Sequence, residues 1–225
     1  MSGCNHLACT TANVEGVRAY ETGNYELARQ RFNQALAVNP SGADGYYNLA
    51  ATYHRLGKLQ NNSADLKQAE DLYNQCLDRN PNHNDCYRSL AVLLVDTQRP
   101  DAAMRLLEGW SVRNPQRADP KIEIARLLEE LGDRDKAVQR LQEALTVEPN
   151  NARALAALGR IREEAGDLAQ ALTDYQRSLA VNRFQPHVLA RVAVLQATVG
   201  GTSSTASTPA GQTRVVDQPQ RSSRY

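Results

Sequence analysis

The chain has 225 residues and nearly balanced charge, with 26 Lys+Arg against 25 Asp+Glu. A net charge of +1 gives no electrostatic case for a nucleic-acid partner. No run of about 18 apolar residues reads as a membrane span, and four cysteines are too few to frame a disulfide-stapled chain of this length.

Residues 1–8 read as a flexible lead, without a basic n-region or an apolar h-region. Cys4, His6 and Cys9 lie close together there, but three potential ligands in a loop leave a zinc set incomplete, so no metal is expected. From residue 9 the sequence becomes periodic. A first unit, 9–42, has a weakly patterned leading helix around 11–22 and then the stretch GNYELARQRFNQALAVNP. The second unit, 43–83, carries seven extra residues within 58–67, where the polar QNNSADLK lengthens the turn or adds a turn of helix. Units three to five span 84–117, 118–151 and 152–185, and the last two contain LGDRDKAVQRLQEALTVEPN and AGDLAQALTDYQRSLAVN. Pro186 opens a final helix over 186–199, with Val188, Leu189, Val192 and Leu195 as its apolar stripe. Residues 200–225 are rich in Ser, Thr and Gln and read as a disordered tail, too poor in apolar side chains to order itself.

The units share a register. Alanines recur at 28, 69, 103, 137 and 171, spaced by 41, 34, 34 and 34. Four residues after each stands a bulky side chain: Phe32, Tyr73, Leu107, Leu141 or Tyr175. The alanine suits a close crossing of two helices, and the bulky residue fills the space one turn further along the same face. Gly23, Gly57, Gly132 and Gly166 open the turn between the two helices of a unit, with Gln98 in the equivalent place. Pro40, Pro81, Pro115 and Pro149 stop the second helix, because the residue before a proline is pushed out of the α region; Arg183 takes that place in the fifth unit. Trp110 stands where a small residue is usual, so it widens the packing or turns outward, with Gly109 beside it to make room. Cys76 and Cys86 flank one turn and are either bridged or two small buried hydrophobes.

A 34-residue helix–turn–helix period with these residues resembles the tetratricopeptide repeat (TPR) family, over roughly residues 9–185. The resemblance implies an all-α fold: an α-solenoid of about five repeats plus a capping helix, whose first helices line a concave groove. It implies a non-enzymatic scaffold that binds a peptide or protein segment there. Tyr47, Asn48, His54, Arg88, Glu123, Arg126, Arg153 and Arg160 are the groove candidates. Relatives that hold chaperone C-terminal carboxylates use a clamp of Lys, Asn and Arg; the matching places here carry Asn13, Val17, Asn48, Asp85 and Ser89, so that role is disfavoured.

Catalytic signatures are missing. No HExxH, GxSxG, P-loop or GxGxxG occurs, and His6, His54, His83 and His187 are scattered, so neither enzyme activity nor a cofactor is expected. Glu129-Glu130 and Glu163-Glu164 read as a solvated, salt-bridged face. Met1-Ser2-Gly3-Cys4 resembles the end of a bacterial lipoprotein signal and would make Cys4 the lipid-bearing residue, although the apolar segment that precedes such a cysteine is missing. The layout is also similar to small envelope-associated tetratricopeptide proteins of bacteria, including those of planctomycetes. Two further roles therefore stand beside the scaffold: an envelope-anchored lipoprotein that assembles a complex, and a recruiting or regulatory subunit of an enzyme on another chain. As printed, the chain reads as cytoplasmic.

Overall fold

The structure, a computed structural model, describes the backbone of residues 2–203 and the side chains of residues 10–198. Among the described residues it contains eleven helices and no strand. They are α1 (Ser2–Glu21), α2 (Tyr25–Val38), α3 (Ala43–Gln60), α4 (Ser63–Arg79), α5 (Asn84–Asp96), α6 (Pro100–Arg113), α7 (Asp119–Glu130), α8 (Arg134–Val147), α9 (Ala152–Glu164), α10 (Leu168–Val181) and α11 (Pro186–Ser203). Each helix packs on the next, and α1, α3, α5 and α7 also touch in succession, which makes a solenoid of five helical pairs closed by α11. The lead expected over residues 1–8 is helical from Ser2, and α11 runs past the composition change at Gly200 to Ser203. The side chains of Cys4, His6 and Cys9 and the tail from residue 204 lie outside the described residues.

The pairs hold together by matched side-chain size. Ala28, Ala69, Ala103, Ala137 and Ala171 have no exposed surface, and Phe32, Tyr73, Leu107, Leu141 and Tyr175 are all buried. A small residue on the first helix stands 16 positions before each of these bulky ones, although Gly57, 16 before Tyr73, packs against Leu66 instead. It is Gly16 before Phe32 and Gly159 before Tyr175, but Ala91 before Leu107 and Ala125 before Leu141. A Cβ on Gly16 would lie 2.5 Å from the Phe32 ring, and one on Gly159 would lie 2.9 Å from Tyr175. Two of the aromatic rings, Phe32 and Tyr175, thus face glycine where the leucines have alanine, which suits the larger ring at a fixed helix spacing.

The turns between paired helices are uniform. Gly23, Gly132 and Gly166 have φ of 80°, 86° and 85°, and Gln98 adopts the same left-handed form at 59°. In each, the following residue's N–H returns to the carbonyl five residues back, as in Arg99 to Leu94 (2.7 Å) and Asp133 to Leu128 (2.8 Å). This hydrogen bond closes the helix end. Asn24, Asp133 and Asp167 then cap the second helices with their side chains.

Gly57 departs from its expected place. It lies inside α3, and the turn falls at Asn61 (φ 52°) and Asn62. The seven extra residues went into the helices, so α3 has 18 residues and α4 has 17, against 12 to 14 for α5 to α10. Gly57 is needed for proximity: a Cβ there would sit 2.8 Å from Leu66 Cδ2 and 3.0 Å from its backbone nitrogen.

Trp110 neither turns outward nor relies on Gly109. It is fully buried and stacks on Tyr87 of α5, with centroids 4.3 Å apart and planes 5° apart. A Cβ at Gly109 would meet only the Arg113 guanidinium, at 3.3 Å. Cys76 and Cys86 are buried free thiols, and Cys86 Sγ donates to the Tyr73 carbonyl at 3.1 Å.

A repeated clasp ties each proline turn to its neighbours. Tyr46 Oη donates to the Pro40 carbonyl (3.1 Å), while Arg79 of α4 lies 3.7 Å over the Tyr46 ring and donates to the Tyr46 hydroxyl (2.7 Å). One repeat later Tyr87 reaches Pro81 (3.3 Å) and Arg113 reaches Tyr87 (2.9 Å). In the next, Lys121 Nζ replaces the tyrosine and donates to the Pro115 carbonyl at 2.9 Å.

Candidate functional site

The eight groove candidates lie on the first helices α3, α5, α7 and α9, and four of them, Arg88, Glu123, Arg126 and Arg153, are paired with one another. Glu123 is the centre of this pairing. Its carboxylate accepts from Arg88 Nε and Nη2 (2.9 and 2.8 Å), from Arg126 Nε (3.1 Å) and from Arg153. Its side chain is only 1 % exposed, so Glu123 is a buried tie between α5, α7 and α9 and not the solvent-facing contact that its position on α7 predicts. Burial opposes ionisation, but the guanidinium groups of Arg88 and Arg153 outweigh it and hold the carboxyl below its ordinary range.

Similar ties run the length of this face. Arg153 also meets Asp119 at 3.2 Å, and Arg160 grips Glu129 (2.7 Å) and Glu164 (3.1 Å). Arg191 of α11 meets Glu163. The Glu129 and Glu163 side chains are each 12 % exposed, which places them deeper than the solvated face expected for them. His54 is buried and bonds to Asp96 at 3.1 Å, which also holds Lys58 at 2.7 Å. Burial lowers the His54 pKa, with Asp96 opposing. Asn48 Nδ2 donates to Asn13 Oδ1 of α1 at 2.9 Å.

Tyr47 is different. It is half-buried and opens onto a cavity of about 270 Å³ where α1, α3 and α5 converge. Tyr20 of α1, Tyr73 of α4 and Ser89 of α5 share its wall with Ala51, Arg55 and Lys58 of α3. The structure brings Tyr47, His54 and Arg88 together here, and leaves Glu123, Arg126, Arg153 and Arg160 outside. Burial raises the pKa of Tyr20, Tyr47 and Tyr73, so their hydroxyls keep their protons at neutral pH. A second hollow of about 750 Å³, against α9, α10 and α11, mixes Arg160 and Arg191 with Glu163 and Glu164.

Tyr20, Arg55 and Lys58 escape the sequence reading. A signal for the last two exists: Tyr47, Ala51, His54, Arg55 and Lys58 follow the i, i+4, i+7/8, i+11 rhythm of one helical face. Tyr73 was legible only as a packing residue, a role it also has.

No helix among the described residues is long and apolar enough to cross a membrane. A TPR repeat model matches residues 16–57, and two tetratricopeptide repeat models match 63–127 and 122–186. Tetratricopeptide repeat protein 36 of Danio rerio is 39% identical over 61 residues, which is 27% of this chain and 33% of that protein. The match therefore spans about a third of the relative's length. A thermophilic TPR protein of Thermus thermophilus superposes with a TM-score of 0.61 at 25% identity, over 83% of this chain and 98% of the other. PilF of Pseudomonas aeruginosa shares the fold, with a TM-score of 0.57 at 18% identity over 90% and 88%. With its 34-residue register, its paired helices and three matching repeat models, the chain belongs to the tetratricopeptide repeat family.

Proposed function

We propose that the chain is a non-enzymatic scaffold that binds a peptide or protein segment along its first-helix groove. The tetratricopeptide fold itself suggests protein–protein interaction. The observation that carries the finer reading is the cavity at Tyr47, where side chains from three successive repeats meet around one opening. Most polar side chains elsewhere on this face are occupied by a neighbouring helix, so the cavity is where a segment gains contacts without breaking existing ones.

Ala51→Trp tests this, because an indole at that position fills the cavity from its wall. A partner captured from host extract by the unaltered chain is expected to drop about tenfold or more with Ala51→Trp. It should persist with Arg105→Glu on the exposed side of α6, with the helical circular dichroism of both variants unchanged. Equal capture by all three chains would place the contact outside the groove.

A further inference from the structure

The Tyr47 cavity differs from the rest of the first-helix face in charge. Arg55, Lys58 and Arg88 line it, and no carboxylate does. The α11 hollow, in contrast, carries both signs. Two of the three cations are already paired, Lys58 with Asp96 at 2.7 Å and Arg88 with Glu123 at 2.8 Å and Asp85 at 3.2 Å, and none of these acids lines the cavity. Arg55 has no carboxylate partner among the described residues. Its Nε donates only to Tyr25 Oη at 3.3 Å, and its guanidinium lies 5.9 Å from that ring centroid. Protonated hydroxyls on Tyr20 and Tyr47 add neutral donors on the same wall.

We infer that the cavity receives an oxyanion carried by the bound segment, either the carboxylate of an acidic residue or a phosphoryl group. The inference rests on the groove reading above and names the chemistry of its partner. Charge-assisted hydrogen bonds from guanidinium and ammonium groups are the strong ones. Donors already held in place lose little freedom on binding. Arg55 supplies the uncompensated charge, while Lys58, Arg88 and the tyrosines supply shape. A volume of about 270 Å³ admits a side chain and excludes a whole helix. The donors are not the Lys, Asn and Arg set of chaperone-tail clamps, whose matching places here include Asp85 and Val17.

The test is an array of short peptides in matched series, probed with the full chain. Each sequence appears with glutamine, glutamate, serine or phosphoserine at one central position. Retention of glutamate over glutamine by about tenfold assigns a carboxylate. The same preference for phosphoserine over serine, without one for glutamate, assigns a phosphoryl group. Either preference is expected to vanish in Arg55→Gln and to survive in Arg105→Gln. Equal retention of charged and neutral members overturns the inference, as does retention of neither anionic series, or a preference that survives Arg55→Gln. If neutral peptides bind equally well and are lost with Ala51→Trp, the groove reading stands and the oxyanion does not.

Discussion

At the scale of single residues, Glu123 shows how an interior charge becomes affordable. A buried carboxylate is costly unless it is paired and hydrogen-bonded, and three arginines from three helices meet that condition. Its folded pKa lies below the unfolded value of about 4.3. A depressed carboxylate contributes stability above that unfolded value and loses it as pH falls through the folded one. Glu123→Gln should therefore cost about 1–3 kcal/mol at pH 7, less than a fully buried pair because the arginines are part-exposed. At an acidic pH below the folded pKa, which itself lies under that unfolded value, the variant and the parent should converge. Urea titrations at both pH values check this, and a constant gap would exclude Glu123 as the source. The residue was legible as polar and on a first helix. Its burial was not, because Arg88 arrives from 35 positions upstream and Arg153 from 30 downstream, and no local spacing records that meeting.

Helices and turns were read more directly than contacts. The second-helix alanines and the bulky residues four later are all buried, because a repeat must present the same face to the same neighbour each time. Gln98 was legible as a glycine equivalent from spacing alone, and it does adopt the left-handed form. That conformation strains any side chain with a Cβ. Gln98→Gly should raise stability by about 0.5–1 kcal/mol, and Gly132→Ala should lower it by a similar amount, read as opposite shifts of the thermal midpoint. The misplaced turn at Gly57 has a physical origin. Seven extra residues can enter a loop or extend two antiparallel helices, and extension adds backbone hydrogen bonds and buried surface while leaving a two-residue turn. Polar letters such as QNNSADLK fit the exposed side of a helix as well as a loop. The Tyr46–Pro40 clasp was hidden for another reason: it uses a backbone carbonyl, which every residue has and no sequence pattern marks.

For the molecule as a whole, stability is shared between neighbours along one dimension. The core divides accordingly, with one cluster running from α1 into α9 and a separate one joining α10 to α11 through Ala171, Tyr175, Val188, Val192 and Leu195. Val188→Asp should open that second cluster first. Hydrogen exchange is expected to lose protection in 168–198 while α3 to α8 keep theirs; uniform loss would show that the array melts as one unit. The ion pairs between successive first helices add something that packing cannot. Leucine and alanine at repeated positions would let any two repeats stack, but here Arg88 meets Glu123, Glu123 meets Arg153 and Glu129 meets Arg160. Repeats two, three and four thus each carry an ionic contact to the one that follows, the first of them between Lys58 and Asp96. A chain with repeats four and five exchanged would keep a Glu129–Arg160 type of pair, because Glu163 and Arg126 stand in the same register, but would set Ala157 in place of Glu123 beside Arg88. Glu123 thus favours one order of repeats three to five, since a stacking that slips past it leaves a buried carboxylate without Arg88 and Arg153.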